Sequence, residues 1–307
     1  MKKAFIFPGQ ASQFVGMGKD LYQNFETARK IFDQADEILD FDLKKVCFEG
    51  PEEELKLTFI TQPAIFVHSM AVFALLKEKG FLPDAVAGHS LGEYSALVAA
   101  NSLSFEDGLR LVQKRGRLMH QSGNNHPGTM AAIIGLAEEQ VYRLCDRLSA
   151  RGVIQPANFN SPGQIAISGE VEIIRDAIEV AREMGAKKAV ELVVSGAFHS
   201  PLMDDARAGL QEALKKTEFK DAEVPVYSNV TAKPVVNKEE IRALLFKQLT
   251  SPVLWQKSME NMIADGFNQF YEIGPGKVLC GLLKRINRQV SCQPVGTVET
   301  VTKVGDE

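Results

Sequence analysis

The amino-acid sequence predicts an α/β protein in which a small domain is inserted into a large domain with a mostly parallel sheet. Three observations lead to this prediction. Short apolar segments that end at glycine or proline turns alternate with segments of helical periodicity. A serine between two glycines, in GHSLG, lies between one such apolar segment and a helix. The middle of the chain follows the order β-α-β-β-α-β, which is that of the ferredoxin-like split motif.

The first part of the chain is predicted to form strands followed by helices. The spacing of apolar residues indicates each element, and glycine or proline residues mark where elements begin or end. In chain order, the predicted elements are a strand at KKAFIF ended by Pro8-Gly9, a helix over 18–39, a helix from Gln62-Pro63 to its cap at Gly80, a strand over 82–87 and a helix over 93–101. Residues 88–92 therefore lie at a junction between a strand and a helix.

The middle of the chain predicts the small domain at 126–197. Its predicted elements are strands over 129–135, 153–159, 164–168 and 189–194 and helices over 138–148 and 171–184. The large domain then consists of residues 1–125 and 198–307. Its second part adds strands over 224–230 and 269–273 and a helix over 277–286, entered through the turn Gly274-Pro275-Gly276.

Composition limits the class of protein. The 307 residues are 45% hydrophobic and 24% charged, as in ordinary globular proteins, and the net charge of −4 disfavours nucleic acid as the main partner. The apolar runs look shorter than a membrane span and AFIF is too short for a signal peptide, so we expect neither a transmembrane helix nor a leader. The four cysteines (Cys47, Cys145, Cys280 and Cys292) have no CxxC or metal spacing and are expected to be reduced thiols of a cytoplasmic protein.

Ser90 is the candidate nucleophile. G-x-S-x-G between a strand and a helix is the pattern of a nucleophile elbow, whose tight turn requires the small residues Gly88 and Gly92. The N–H of Leu91 would lie at the start of the helix, where it faces developing negative charge. The alternative is that the pentapeptide is a turn without catalytic function.

Among the five histidines, His199 is the candidate base for Ser90. It follows an apolar strand and the turn Ser195-Gly196-Ala197, so it should project from a strand end; a histidine of a surface loop is the alternative. His89 adjoins Ser90, but adjacent side chains diverge at such a turn. His68 is expected to be a satisfied core residue, and His120 and His126 to be solvated beside a loop rich in glycine and asparagine.

Six motifs together resemble one family, the malonyl-CoA:acyl carrier protein transacylases of bacterial type II fatty acid synthesis. In chain order they are FPGQ at 7–10, TQPAIF at 61–66, GHSLGE at 88–93, KRGRLM at 114–119, GAFHS at 196–200 and EIGPGKVL at 272–279. The resemblance extends from Phe5 to Ile286. It implies an α/β-hydrolase-like large domain with an inserted ferredoxin-like small domain.

The resemblance also implies residue roles. Ser90 would be the nucleophile and His199 the general base, with the main-chain N–H groups of Leu91 and Gln10 as the oxyanion hole. The other implied roles are Arg115 for the malonyl carboxylate, the main-chain carbonyl of Gln248 for the second ring nitrogen of His199, Gln62 and Asn160 for the pocket, and Phe198 for a position that is aromatic in malonyl-selective members.

The implied activity is transfer of the malonyl group from malonyl-CoA to the phosphopantetheine thiol of acyl carrier protein. It would pass through a malonyl-serine intermediate by a ping-pong route and would supply malonyl-acyl carrier protein for fatty acid synthesis. The partners are malonyl-CoA and the carrier protein, with neither nucleic acid nor membrane. No metal or other cofactor is required by this chemistry.

Alternatives remain for several of these residues and for the function. Arg115 lies among Arg110, Lys114 and Arg117, a run that is usually a solvated helix face, and spacing alone does not select it. Phe198 could simply pack in the core. A serine hydrolase would use the same elbow, but its histidine normally comes late in the chain. A binding protein without activity would be expected to lack Ser90, His199 or Arg115.

Overall fold

The computed structural model describes residues 2–305, and this part of the chain forms helices packed on two separate sheets. The strands are β1 (Lys2–Phe7), β2 (Ala85–Gly88), β3 (Gly128–Ile134), β4 (Ile154–Ser161), β5 (Gln164–Glu170), β6 (Lys188–Glu191), β7 (Val226–Tyr227), β8 (Pro234–Val235), β9 (Phe267–Ile273) and β10 (Ser291–Val295).

The helices include long, buried ones as well as short surface turns. In chain order they are α1 (Lys19–Asn24), α2 (Glu26–Ile38), α3 (Leu43–Glu49), α4 (Glu52–Leu55), α5 (Thr58–Glu78), α6 (Gly92–Ala99), α7 (Phe105–Asn125), α8 (Glu138–Ser149), α9 (Val171–Glu183), α10 (Asp204–Lys216), α11 (Lys238–Gln248), α12 (Trp255–Ala264), α13 (Val278–Ile286) and α14 (Val298–Lys303), with a 3₁₀ turn at Pro201–Met203.

The larger sheet has the strand order β10-β9-β1-β2-β7-β8, and every pair is parallel except β7 and β8. This confirms the α/β class and the mostly parallel sheet. All four residues of β2 are buried, as expected for a central parallel strand with helices on both faces. The carboxyl ends of β1, β2 and β7 lie at one edge, which is where ligands bind in open parallel sheets.

The smaller sheet is antiparallel and has the order β4-β5-β3-β6. Its six elements follow the predicted β-α-β-β-α-β order, with α8 and α9 packed on the strands over a separate apolar core. Two main-chain hydrogen bonds join it to the segment before α12: Phe159 N–H donates to the Val253 carbonyl (2.9 Å) and Val253 N–H to the Ala157 carbonyl (2.8 Å). One edge of the small sheet is therefore attached beside the large one.

The helix α5 differs from the sequence prediction. It begins at Thr58 rather than at Gln62-Pro63, and Pro63 lies inside it; Gly80, with φ of +69°, ends it as predicted. With 21 residues and a mean hydropathy of 1.7, it is long and apolar enough to cross a membrane, so the expectation that no apolar run reaches that length was wrong. Because 89% of its most apolar 18-residue stretch is buried inside the protein, α5 is a core helix.

Other differences concern element bounds. The helix predicted over 18–39 is interrupted at Phe25, whose extended backbone (φ −129°) separates α1 from α2. The strand predicted over 224–230 is limited to Val226–Tyr227. The glycine- and asparagine-rich segment near His126 is not a loop, because it forms the last turn of α7.

The cysteine prediction was wrong for one pair. Cys280 of α13 and Cys292 of β10 form a disulfide, because these two neighbouring elements bring the Cα atoms to 5.3 Å, within the range that a disulfide spans. Cys47 and Cys145 are free and buried. Burial raises the pKa of the Cys145 thiol to about 12 and also raises that of Cys47, so both thiols are protonated at neutral pH.

Candidate active site

Ser90 lies in the tight turn between β2 and α6, as the sequence predicts. Its φ of +50° is in the left-handed region, which a residue with a side chain rarely adopts. The N–H of Ser90 donates to the Oδ1 of Asn229 (2.7 Å), and the Nδ2 of Asn229 donates to the Gly88 carbonyl (2.6 Å). Asn229 follows β7 at the same sheet edge, so its side chain holds both sides of the turn.

The two flanking glycines are required by close backbone contacts. A Cβ added at Gly88 would lie 1.9 Å from the main chain of Gly92, and one added at Gly92 would lie 2.1 Å from the Phe7 carbonyl oxygen. The same holds for Gly9 in the turn after β1, where a Cβ would lie 2.5 Å from the carbonyl of His89. The FPGQ turn and the serine turn are thus packed directly against each other.

Ser90 and His199 are hydrogen-bonded although 109 residues separate them. The Ser90 Oγ lies 2.8 Å from the Nε2 of His199, and the Nδ1 of His199 lies 2.9 Å from the main-chain carbonyl of Gln248. Because that carbonyl can only accept, Nδ1 carries the proton and Nε2 is left as the acceptor for the serine hydroxyl. The predicted contacts of His199 with Ser90 and with the Gln248 carbonyl are therefore present.

His199 is only 3% exposed. Burial, followed by the nearby positive charge of Arg115, lowers its pKa to about 3. The imidazole is consequently neutral at physiological pH, which is the form that can accept a proton from the serine. Its φ of +58° shows that the turn at the end of GAFHS is also a left-handed one.

The main-chain N–H groups of Leu91 and Gln10 lie in the two packed turns. Within residues 2–305, neither N–H donates a hydrogen bond to the protein. Leu91 immediately precedes the first residue of α6, where N–H groups and the helix dipole favour negative charge. Both groups are thus free to receive an oxyanion at the carboxyl edge of the sheet.

Arg115 is buried rather than solvated. It is 1% exposed, on the face of α7 that packs against α5. Its Nη2 donates to the Ser90 Oγ (2.9 Å) and to the Gln248 Oε1 (3.1 Å), and its Nη1 donates to the Gln62 Oε1 (2.9 Å). Burial lowers its pKa, yet an arginine keeps its charge at any working pH. The site therefore holds a buried cation in contact with the serine oxygen.

The remaining predicted residues lie around this group but make different contacts. Gln62 is buried and holds Arg115, with its own Nε2 donating to the Met119 Sδ (3.4 Å). The Oδ1 of Asn160 is 2.8 Å from the Nε2 of His89, behind the serine turn. Phe198 is buried among the residues of the main core. His89 itself points to Asn160 and not to the Ser90 hydroxyl, as expected for adjacent side chains at this turn.

Three further polar residues of the site were not singled out in the sequence. Asn229 could have been found as a polar residue at the carboxyl end of a parallel strand. Gln155 of β4 donates to the main-chain carbonyl of His199 (2.6 Å) and to that of Thr250 (3.3 Å), and no sequence pattern marks it. Glu93, in the first turn of α6, is 3% exposed; burial raises its pKa to about 7, against the opposing effect of hydrogen bonds from Gln248 and Asn229.

The other histidines are distant from this chemistry. His68 is buried in α5, which lowers its pKa to about 4, but neither ring nitrogen has a hydrogen-bond partner among the described residues. His120 packs on the Phe59 ring at 5.0 Å, and His126 is exposed and 2.7 Å from Asp205. Within residues 2–305 there is no group of three His, Cys, Asp or Glu side chains placed to hold a metal ion.

A parallel sheet with a serine at a strand-to-helix turn, paired with a buried histidine, defines the class of serine-dependent α/β acyl-transferring enzymes and hydrolases. The chain matches the model of the acyl transferase domain over residues 4–305. It is 48% identical over 301 residues to the malonyl CoA-acyl carrier protein transacylase of Bacillus subtilis strain 168, covering 98% of this chain and 95% of that one.

Two solved structures are similar over the same length. The acyl-carrier-protein-S-malonyltransferase of Bartonella henselae has a TM-score of 0.95 and 43% identity, with 98% of each chain covered. A malonyl-transacylase solved in complex with its type II PKS acyl-carrier protein has a TM-score of 0.95 and 40% identity, again with 98% of each chain covered. The chain belongs to the acyl transferase family, on the branch of the malonyl-CoA:acyl carrier protein transacylases.

Proposed function

We infer that this protein transfers malonyl groups from malonyl-CoA to acyl carrier protein and thereby supplies malonyl-acyl carrier protein for fatty acid synthesis. Relatives with this name match nearly its whole length, and a similar solved structure is a complex with a carrier protein. The observation in the site that carries the inference is the buried guanidinium of Arg115 beside the Ser90–His199 pair.

The first half-reaction begins at Ser90. His199 Nε2 removes the hydroxyl proton while the Ser90 Oγ attacks the thioester carbonyl of malonyl-CoA. The N–H groups of Leu91 and Gln10 hold the oxyanion of the tetrahedral intermediate, a type of contact worth about 10²–10³-fold in rate. Collapse breaks the carbon–sulfur bond, CoA leaves as the thiol with the proton from His199, and malonyl-Ser90 remains.

The second half-reaction repeats these steps in reverse. The phosphopantetheine thiol of the carrier protein gives its proton to His199, and its sulfur attacks the ester carbonyl of malonyl-Ser90. The intermediate again places its charge on the two N–H groups. When the ester carbon–oxygen bond breaks, the Ser90 oxygen recovers the proton from His199, and the malonyl thioester leaves.

The partner of His199 favours thioester chemistry. Its Nδ1 proton goes to a neutral main-chain carbonyl of Gln248 rather than to a carboxylate. Such a pair lacks the charged third member that stabilises an imidazolium in serine proteases. A thioester is an activated acyl donor, so a Ser-His pair with a strong oxyanion site is sufficient for it.

Arg115 supplies the preference for malonyl. Its Nε has no hydrogen-bond partner among the described residues, and its Nη2 contacts the Ser90 oxygen, which is the atom that would carry the malonyl group. A guanidinium binds a carboxylate through two parallel N–H donors. An acetyl group would leave this buried charge unpaired, which disfavours it.

The division of the chain completes the proposal. Residues 126–197 are the inserted ferredoxin-like domain, and residues 1–125 and 198–307 form the α/β-hydrolase-like domain that carries Ser90, His199 and Arg115. In support, the small sheet has its own core and the order expected of that motif.

The enzyme acts in the cytoplasm, a compartment for which the Cys280–Cys292 bond is unusual.

The test of this function is a transfer assay with malonyl-CoA and phosphopantetheinylated acyl carrier protein. We expect the wild-type protein to form malonyl-carrier protein and Ser90→Ala to lose this activity. Ser95→Ala is the matched control, because Ser95 is a buried serine of α6 whose hydroxyl has no partner among the described residues. Transfer by Ser90→Ala at the rate of Ser95→Ala would contradict the mechanism.

A further inference from the structure

The side chain of Gln248 contacts more of the site than its main chain does. Its Nε2 donates to the Ser90 carbonyl (3.0 Å) and to the Oε2 of Glu93 (2.8 Å), while its Oε1 accepts from the Nη2 of Arg115 (3.1 Å). The residue is 1% exposed, so these contacts are made without competing water. One amide thus joins the serine turn to the arginine.

The amide of a glutamine has two nearly isosteric orientations, which exchange the donor and acceptor ends. In the observed orientation the oxygen faces the guanidinium of Arg115 and the NH₂ group faces Glu93. The reverse orientation would bring the amide oxygen against a carboxylate oxygen and the amide hydrogens against a cation. Two acceptors and two donors would then oppose each other in a buried place, where unmade hydrogen bonds are costly.

Glu93 contacts the NH₂ end of the Gln248 amide, so it is the second residue that gives the two amide orientations different energies. It lies in the first turn of α6, three residues after the nucleophile, and its Oε2 receives two N–H donors, so this oxygen is an acceptor even when a proton is bound to Oε1. The same Oε2 also accepts the main-chain N–H of Asn229 (3.1 Å), a donor that is fixed by the backbone. The carboxylate is therefore anchored before it receives the amide of Gln248.

We propose that Glu93 is a positioning residue that sets the amide orientation of Gln248 and, through it, holds the guanidinium of Arg115 against Ser90. The geometry links the choice of acyl group to the serine turn itself, because Glu93 and Ser90 belong to the same strand-turn-helix segment. This inference rests on the proposed function, since it gives a new role in the malonyl selectivity assigned to Arg115.

The experiment compares malonyl-CoA with acetyl-CoA as acyl donors and takes the ratio of the two kcat/KM values. Glu93→Ala removes the acceptor, so we expect the ratio to fall about 10-fold or more, the size associated with losing a hydrogen bond to a charged group. Glu93→Gln keeps an acceptor oxygen that the Asn229 N–H orients, so its ratio should stay close to that of the wild type.

The matched control is Glu272→Ala. Glu272 is a buried carboxylate whose oxygens accept the N–H groups of Leu279 (3.0 Å) and Cys280 (2.8 Å), and it has no hydrogen bond to the site residues. We expect this variant to be less stable to heat but to keep the wild-type ratio. A role of Glu93 in stability alone would make Glu93→Ala behave in the same way.

Gln248→Met provides a second variant that does not depend on the folding of Glu93→Ala. It removes both ends of the amide and leaves the main-chain carbonyl for His199, so it too should lose malonyl preference. Unchanged ratios in Glu93→Ala or in Gln248→Met would overturn the proposal, as would an equal loss in Glu93→Gln and Glu93→Ala. Malonyl turnover by the wild type tests the proposed function separately, because the positioning role concerns only the ratio.

Discussion

The two sheets contribute to the site in different ways. The parallel sheet contributes main-chain groups: the strained turn of Ser90, the N–H groups of Leu91 and Gln10, which donate to no atom of residues 2–305, and the glycines that allow these turns to pack together. The antiparallel sheet supplies side chains from one edge strand, β4, where Gln155 and Asn160 contact His199 and His89.

This difference separates what neighbouring residues determine from what the tertiary fold determines. A tight turn between a strand and a helix is specified by a few adjacent residues. The side-chain contacts of β4 join segments that are distant in sequence, such as Gln155 and His199 at 44 residues or His89 and Asn160 at 71. We expect substitutions in the first group to damage the fold and those in the second group to damage the chemistry.

The largest effect is expected from Gly92→Ala in the parallel sheet. Its Cβ would lie 2.1 Å from a main-chain oxygen, and neither backbone can move without opening the turn. The loss in the free energy of unfolding should exceed about 4 kcal/mol, the range of severe core disruption, and should be seen in urea unfolding.

Gly163→Ala in the hairpin of the antiparallel sheet is the control. Its nearest atom would be 3.8 Å away, so only the left-handed backbone (φ +68°) opposes it, at a cost of roughly 1–2 kcal/mol. Equal losses in the two variants would remove the distinction between the sheets.

The second effect concerns the histidine. His199→Ala removes the proton acceptor of both half-reactions and should slow transfer by about 10²–10⁴-fold, with little change in secondary structure by circular dichroism. His126→Ala, an exposed histidine paired with Asp205, should have near-normal activity. Stopped-flow acylation that proceeds normally in His199→Ala would identify another base.

Much of the fold could be predicted from the sequence because local patterns carry it. KKAFIF, GHSLG and the β-α-β-β-α-β order of the middle segment correspond to elements that the structure contains, with small shifts in their bounds. The start of α5 was misplaced because Pro63 is typical of a first helical turn, whereas burial extends this helix to Thr58. The Cys280–Cys292 pair was missed because its proximity depends on how α13 packs beside β10.

The site was predictable to a lesser degree from the residues alone. The elbow pattern selects Ser90. His199 was expected at the end of a strand over 189–194, but β6 ends at Glu191 and His199 lies in a turn further along the chain. Nothing in the spacing separates Arg115 from Arg110 or Arg117, because which face of α7 is buried depends on its contact with α5. The roles of Gln155 and of the Gln248 side chain depend on the tertiary arrangement and leave no local signal.

The third effect tests whether the buried Arg115 differs in function from an exposed arginine of α7. Arg115→Ala should reduce malonyl transfer by about 10²–10³·⁵-fold, since breaking a buried ion pair costs about 3–5 kcal/mol, while acetyl transfer is kept or improves. Arg117→Ala, at an exposed arginine paired with Asp40, should alter neither rate appreciably. Steady-state rates with malonyl-CoA and acetyl-CoA measure both effects. If the malonyl and acetyl rates of Arg115→Ala fell together, Arg115 would have a structural role.

The smallest effect is a shift in the pH profile of acylation. Burial, then the charge of Arg115, lowers the pKa of His199 to about 3, so the base stays deprotonated as the pH falls through the usual histidine range. We therefore expect the acid limb of the stopped-flow acylation rate to lie well below about 6.5, the ordinary histidine pKa. In Arg115→Ala the limb should move upward, because the repelling charge is gone. A limb near 6.5 in the wild type would contradict the burial of this imidazole.

The covalent intermediate provides the most direct test of the role assigned to the serine turn. Wild-type protein incubated with malonyl-CoA in the absence of carrier protein should gain one malonyl group by intact-mass analysis, and peptide mapping should place it on Ser90. Addition of phosphopantetheinylated carrier protein should then remove it. A malonyl group on another residue, or full turnover by a wild-type protein that never becomes acylated, would contradict the account.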